Sequence, residues 1–417
     1  MTSIKINMDS LERWFVIIIM AELILGGSGH LFAVGPMSLR IIFLALMVGM
    51  DLVLLLRGKI IANLSNLILF CMMVYFFGLM CYSVLHNDIR DAADTFLGYI
   101  VIIVCPVFLY LFRENRDLVH TTRRVLYVCT AILSIVTILI WGYCLVFGMA
   151  SYPLVQGIFN RFQYGALAFV GPVPRVFLKG SIFICCALFL SVMEFAQERK
   201  FSRLVLTGLY TVAILMTFTT AFYVFTAMLL LVELFHIIGK KRFVTFLSII
   251  FALVILGLVV AYQAGIIDVF VERFSGDYNF SYKELQFYSI LSNGLKHPIF
   301  GNGFGYNIFT DYGYVSKIAY SFEVMWGQLF LDTGVVGLFL FLAHMGVTLY
   351  DLLKNYKISG NQVYYAFAMG LIMFCLVSFT NPFMNNAIGL LYYAICAGLS
   401  SVDERSVSTE SRWALEG

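Results

Sequence analysis

Long apolar runs, broken by short polar interruptions, set the pattern of this chain. The runs cover 14–34, 39–56, 64–85, 95–112, 125–147, 178–196, 203–219, 221–238, 243–263, 321–346, 363–379 and 386–402. They are continuous rather than alternating, which argues for helices and against a barrel. A run of roughly 20 apolar residues spans a hydrocarbon core of about 30 Å. Backbone groups exposed to lipid must be satisfied within the segment, which a helix achieves. The expected fold is therefore an all-α polytopic membrane protein of about twelve transmembrane helices, one integral membrane domain over 1–402. Polar residues collect in two long connections, 148–179 and 264–320, and in a charged tail, 403–417.

One boundary follows from length. As a single helix, 204–238 would be about 52 Å long at 1.5 Å per residue, well over one bilayer core. Basic clusters flank it: Arg199, Lys200 and Arg203 before, Lys240, Lys241 and Arg242 after. Two clusters on one side require an even number of crossings between them, so a tight turn is expected near Thr217–Ala221. With the N-terminus inside, eighteen Lys/Arg fall on cytoplasmic segments and nine outside. Of the short outer connections, only those with Arg40 and Arg90 carry a cation. The bias is strongest for short loops, so both termini and the tail are expected in the cytoplasm and both long loops on the other side.

Composition agrees: 61% of the 417 residues are hydrophobic and 12% charged, with a mean hydropathy of +0.91. A net charge of +3 is too small for a nucleic-acid footprint. The nine cysteines lie in apolar runs without metal-site spacing and are expected as small core residues. No cofactor and no metal is expected.

The polar interval Asp268–Asp332 holds the candidate chemistry. Ser281-Tyr-Lys-Glu284 has the form of a capping box. Leu285, Tyr288, Leu291 or Ser292, and Leu295 then recur at helical spacing, and Gly294 with His297-Pro298 ends the pattern. A short amphipathic helix lying on the outer rim is expected. Gly301-Asn-Gly303-Phe-Gly305 follows. Such a turn can expose amides to phosphate or simply fold the loop back, but without a preceding strand or a following Lys-Ser/Thr it is no P-loop. Glu323 opens the span 321–346, as a carboxylate facing a cavity or as a favourable charge at a helix start. Glu22, His30, Asp51, Glu194, Glu233, His236 and Asp332 lie in or beside spans. Snorkelling or helix-end pairing is the simplest expectation for most of them. His30 and Glu22, two turns apart, could meet one interior surface.

Residues 282–338 resemble the signature region of the O-antigen polymerase and ligase superfamily, bacterial inner-membrane proteins that handle glycans on undecaprenyl pyrophosphate. Lys283 leads to His297-Pro-Ile-Phe-Gly301-Asn-Gly303; Glu323 then opens the helix containing Leu331-Asp332-Thr-Gly334-Val-Val-Gly337. The family's usual Arg is Lys283 here, the His-Asn pair typical of ligases is Glu323-Val324, and Thr217–Phe222 lacks the Arg often found at that turn. The first two departures favour polymerase over ligase.

The resemblance implies a metal-independent glycosyltransferase that joins undecaprenyl-pyrophosphate-linked oligosaccharide repeats on the periplasmic face, with a chain-length regulator protein as partner. It points to Glu323 as the base for the acceptor hydroxyl, and to Arg161, Arg175, Lys179, Arg273 and Lys283 as pyrophosphate ligands. Gly301, Gly303 and Gly305 form the loop turn. The alternatives are a ligase transferring polymer to lipid A core and, more distantly, a lipid-linked oligosaccharide flippase.

Overall fold

The computed structural model describes residues 8–27, 29, 33–34, 37–59, 63–239, 277–308 and 322–404. The expected span 243–263, Arg273, His30 and most of the tail lie outside them.

A helix lies in each of the other expected intervals, although the first ends at Leu25, well short of the expected 34. In chain order these are α1 (Met8–Leu25), α2 (Leu39–Leu56), α3 (Leu64–His86), and α4 (Ile89–Tyr99), continued through a 3-10 turn into α5 (Cys105–Glu114). Then come α6 (Asp117–Phe147), α7 (Tyr152–Phe162), α8 (Ser181–Glu198), α9 (Phe201–Met216) and α10 (Thr220–Gly239). After the undescribed stretch follow α11 (Asp277–Gly294), α12 (Met325–Ser359), α13 (Gln362–Val377) and α14 (Ala387–Ser400). Seven helical segments among the described residues are long and apolar enough to cross a membrane: Leu39–Leu56, Leu64–His86, Ile89–Glu114, Asp117–Phe162, Ser181–Glu198, Thr220–Gly239 and Met325–Ser359.

The expected turn near 217–221 is present. Helix α9 stops at Met216, Phe218 takes a left-handed φ of 44°, and α10 starts at Thr220. The connection 148–179 is not a plain loop. It holds α7 and an antiparallel hairpin, β3 (Gly165–Val170) with β4 (Val173–Leu178), and a second hairpin of two-residue strands, β1 (Ala33–Val34) and β2 (Met37–Ser38), precedes α2. Strands of two and six residues leave no mark on a pattern dominated by runs of about twenty.

Helices α8, α13 and α14 form the centre, buried on nearly every face. A helix apolar all round belongs inside a larger body, and α14, surrounded by protein, needs only 14 residues. Aromatic rings lock this centre. Tyr392 stacks on Phe374 at 4.6 Å and on Phe367 at 5.4 Å, and Phe183 meets Tyr392 edge-on at 5.6 Å. Helix α3 packs on α12, α1 on α6, and α5 on α14 around it. Of the cysteines, Cys71 and Cys81 are exposed and Cys375 is half-buried; the other six are buried as expected. The exposed two lie on the outward side of α3, where apolar side chains such as Phe70 and Phe77 are also exposed.

The bundle has two polar ends. At one, the lower, Arg123 and Arg203 clamp the buried Glu194 carboxylate at 2.6 and 2.8 Å. Asn115 donates to Glu12 there and Arg116 to the Asp403 carbonyl, so the described N- and C-terminal residues share this end. The other, upper end holds the α7–β3–β4 insertion, the start of α12 and the loop 378–386.

Candidate functional site

Helix α11 begins at Asp277, four residues before the expected capping box, so Ser281 stands inside the helix. It does not lie flat on the rim. Gln286 accepts from the Glu323 amide, Ile290 abuts Gly327, and Gly294 meets the Phe330 ring. The paired positions rise together, so α11 runs alongside and parallel to the start of α12. Its inner face is Gln286, Ile290 and Gly294. The expected apolar face, Leu285, Tyr288, Leu291 and Leu295, points outward and is exposed. In a membrane protein the outward face can be the more apolar one, which inverts the usual amphipathic rule.

This packing brings Lys283 to Glu323. The Lys283 Nζ lies 3.2 Å from Glu323 Oε2 and donates to the Thr380 carbonyl at 2.8 Å. Glu323 stands just outside α12, whose first residue is Met325 and whose N-cap, Val324, makes no side-chain cap bond. Below it, the side-chain Oε1 of Gln328 accepts from the Phe322 amide and from Asn385 Nδ2, both at 3.2 Å. Its amide reaches the Asp332 carboxyl.

Asp332 is 2% exposed and its Oδ2 is buried without a hydrogen-bond partner among the described residues. Snorkelling, expected for such groups, is ruled out here and for Asp51 and Glu233, which are also buried. Intramembrane acids held inside a bundle are costly and usually tied to function.

Two residues on, helix α12 breaks: Gly334 has φ 63° and ψ −168°. The chain segment 298–304 fills the break. The Asn302 and Gly303 amides donate to the Leu331 and Asp332 carbonyls at 2.9 and 3.0 Å, and the Val335 and Val336 amides donate to Pro298 and Ile299 carbonyls at 2.8 and 3.1 Å. Thus every backbone group freed at these four positions finds a partner, as irregular backbone at membrane depth demands. Tyr75 of α3 donates to the Thr333 and Phe300 carbonyls at 2.7 and 2.9 Å, and Ser83 Oγ accepts from the Phe304 amide at 2.7 Å.

Gly301, Gly303 and Gly305 all have positive φ. At Gly301 the reason is also space, because a Cβ there would overlap the Asp332 carbonyl. The amides at 301–304 all bond inside the protein, to the His297, Leu331 and Asp332 carbonyls and to Ser83. The turn therefore folds the loop back and does not offer these amides to phosphate. After it the chain climbs again: Gly305 abuts Ala92, and Asn307 Nδ2 donates to Asp91 Oδ2 at 2.9 Å. Helix α11 and 295–308 thus make a re-entrant excursion.

The remaining candidate cations sit on the α7–β3–β4 insertion. Arg161, in the last turn of α7, is exposed beside the Phe162 ring. Arg175, in β4, pairs across to Ala168 and shares a face with Phe177. Lys179 follows β4, its amide bonded to the Tyr164 carbonyl at 3.0 Å. Burial and the neighbouring Arg40 charge hold its ammonium below the usual lysine value. Arg40 itself grips Glu22 with two bonds of 3.0 Å and the Gly27 carbonyl with a third. Glu22 thus pairs with a cation at the head of α2.

Phe177 meets Phe222 at 6.0 Å and Phe222 meets Phe383 at 6.2 Å, in the loop that receives Lys283 at Thr380. The two sets of candidates therefore occupy one end of the bundle, with two rings between them. Residues that sequence inspection missed are Gln286, Gln328, Thr380, Asn385 and Arg40. Asn381-Pro382 lies in this loop, where the proline removes a backbone donor and keeps the helix from continuing. Among the described residues no group of three or more His, Cys, Asp or Glu could hold a metal ion. No protein-family model matches this sequence, and no curated protein matches it.

Proposed function

We propose that this chain is a bacterial polysaccharide polymerase, with twelve membrane spans, cytoplasmic termini and the upper end of the bundle facing the periplasm. The observation that carries the reading is the Lys283–Glu323 pair at the mouth of a broken, stapled helix. A carboxylate and a cation in contact suit transfer from a diphosphate donor to a hydroxyl.

A donor pyrophosphate entering beside Lys283 competes for its ammonium and frees Glu323. The freed carboxylate takes the proton of the acceptor sugar hydroxyl. The hydroxyl oxygen bonds to the donor anomeric carbon as that carbon's bond to phosphate breaks. The electron pair leaves on the diphosphate, where fixed cations stabilise it. Lys283, Arg161, Arg175 and Lys179 are the candidate cations for this role. The products are a lengthened glycan on the acceptor lipid and free undecaprenyl pyrophosphate.

Incubating purified protein with a defined lipid-linked repeat tests the reading: a ladder of polymers is expected, and release of monomer only would overturn it. In cells, deletion should leave surface glycan with one repeat per core. Polymer stranded on its lipid carrier would instead indicate a ligase, and unpolymerised repeats held inside a flippase.

A further inference from the structure

Asp332 and Tyr99 are buried polar groups that the fold brings together and leaves unsatisfied. Each is 2% exposed, and among the described residues neither Asp332 Oδ2 nor the Tyr99 hydroxyl has a hydrogen-bond partner. Tyr99 ends α4, and its ring packs against Phe76 and Phe304, both at 5.6 Å. Its phenol stands within electrostatic reach of the Asp332 carboxyl. The preceding Gly98 abuts the Asn385 carbonyl. Asn385 bonds to Gln328, whose amide reaches Asp332. The end of α4, the first turns of α12 and the loop 378–386 thus enclose the carboxyl. No ion pair of Asp332 occurs among the described residues.

The neighbours of the carboxyl decide what satisfies it. Gln328 Oε1 is taken by two donors, the Phe322 amide and Asn385 Nδ2, so Gln328 offers only its NH2 to Asp332. A proton on Oδ2 would remove the charge but add a buried O–H with no acceptor in bonding distance, and Tyr99 would stay unsatisfied. Water would satisfy both oxygens but leave the charge uncompensated. A cation held between the two oxygens does both. One carboxylate balances one charge, so the ion is monovalent. Ca²⁺ takes roughly six to eight oxygens, and Mg²⁺ keeps several waters or substrate phosphates; neither suits a closed site with one acid. Oxygen ligands favour hard ions over soft ones. Discontinuous membrane helices host such ions beside their breaks, and the break at Gly334 lies two residues beyond Asp332.

We propose that Asp332 and Tyr99 hold a small monovalent cation of the sodium class, behind the break in α12. Asp332 lies about 10 Å below Met325, the first residue of α12, at 1.5 Å per residue. Gln328 and Asn385 form a polar step between it and the upper end. The ion enters along that step, and water completes its shell. Once bound, it fixes the carboxyl, then Gln328, and through Gln328 the Phe322 amide next to Glu323. The site stands whether or not the chain is a polymerase.

Thermal melting of the full-length protein in detergent tests this. Sodium chloride is replaced stepwise by N-methyl-D-glucamine chloride at constant pH and ionic strength. An ion that binds only the folded chain raises the melting temperature with its concentration, so wild type should rise with sodium. Asp332→Asn keeps the shape and removes the charge, and its melting temperature should not depend on sodium. Tyr99→Phe removes one ligand and should raise the sodium concentration for half the effect about tenfold, the loss of one contact to a charged group. Glu233→Gln, which neutralises a buried acid on α10, should respond as wild type does.

Equal melting of wild type in the two salts overturns the proposal, as does a sodium response retained by Asp332→Asn. A response lost equally in Glu233→Gln marks a general charge effect and overturns it too. Should Asp332→Asn fail to fold, Tyr99→Phe decides, and an unshifted sodium dependence there sinks the assignment. Stabilisation by magnesium chloride in place of sodium overturns the monovalent class.

Discussion

Lys283 and Glu323, forty residues apart in the chain, form an ion pair of 3.2 Å because α11 runs parallel to the start of α12. Their side chains are 32% and 47% exposed, and a pair so open to solvent contributes at most about 1 kcal/mol. Glu323→Gln should therefore leave the melting temperature nearly unchanged. Polymer synthesis should fall by about 100-fold or more, the scale of general-base catalysis. The exchange Lys283→Glu with Glu323→Lys restores the pair but not the chemistry. A normal ladder from the exchanged protein would show that the contact is only structural.

Glycine positions in α12 separate strain from propensity. At Gly334 the φ is positive and a Cβ would overlap the Ile299 carbonyl. Gly334→Ala should cost about 1–3 kcal/mol or more and loosen the staple. Gly346, in the same helix, has open space where a Cβ would go, so Gly346→Ala should stabilise by up to about 1 kcal/mol. Thermal melting in detergent should move in opposite directions for the two.

Arg40→Met strands the buried Glu22 carboxylate. Breaking a buried pair on one side costs about 3–5 kcal/mol, whereas replacing both partners by apolar residues is close to neutral. The double variant Arg40→Met with Glu22→Leu should thus melt well above the single one. Equal melting temperatures would mean that the pair is not buried in the folded protein.

Lys179 predicts an alkaline signature. Its folded pKa is lowered from 10.5 by burial and by Arg40. Between the folded and unfolded values the unfolded chain keeps a proton that the folded chain has released, so stability rises with pH across that window. The cost of the charged form is absent above the window and fully present below it. Lys179→Gln should flatten the rise in melting temperature just below pH 10.5. Inorganic pyrophosphate, which favours the ammonium, should stabilise wild type at neutral pH more than this variant; identical responses would remove Lys179 from the pyrophosphate set.

Periodicity and run length located the helices well, including the break at Thr217–Thr219, because a bilayer imposes one length on every crossing. The same reasoning misplaced the exposed face of α11, since Leu285, Tyr288 and Leu295 point outward while Gln286 packs inward. Hydrophobicity marks the buried face only when water is the solvent outside. Pairing was also out of reach. Glu22 finds Arg40 through the hairpin β1–β2, and Gln328 finds Asn385 across two helices. Neither partner shares a local spacing with the other. The Lys283–Glu323 contact was partly foreseeable, as both residues were chosen for the same motif. The depth to which 298–304 descends was not, because it depends on carbonyls that a sequence does not display.

The staple across Gly334 has a bearing on how the chain is made. Its partners, Tyr75, Ser83 and the segment 298–304, all lie upstream of the break they satisfy. A ribosome therefore delivers the receptor before the helix that needs it. When Leu331–Val336 leaves the exit tunnel, its awkward carbonyls and amides meet ready companions and need not linger unmatched in oil. Moving α3 behind α12 by circular permutation would reverse that order of arrival, and biogenesis, not the finished architecture, would suffer first.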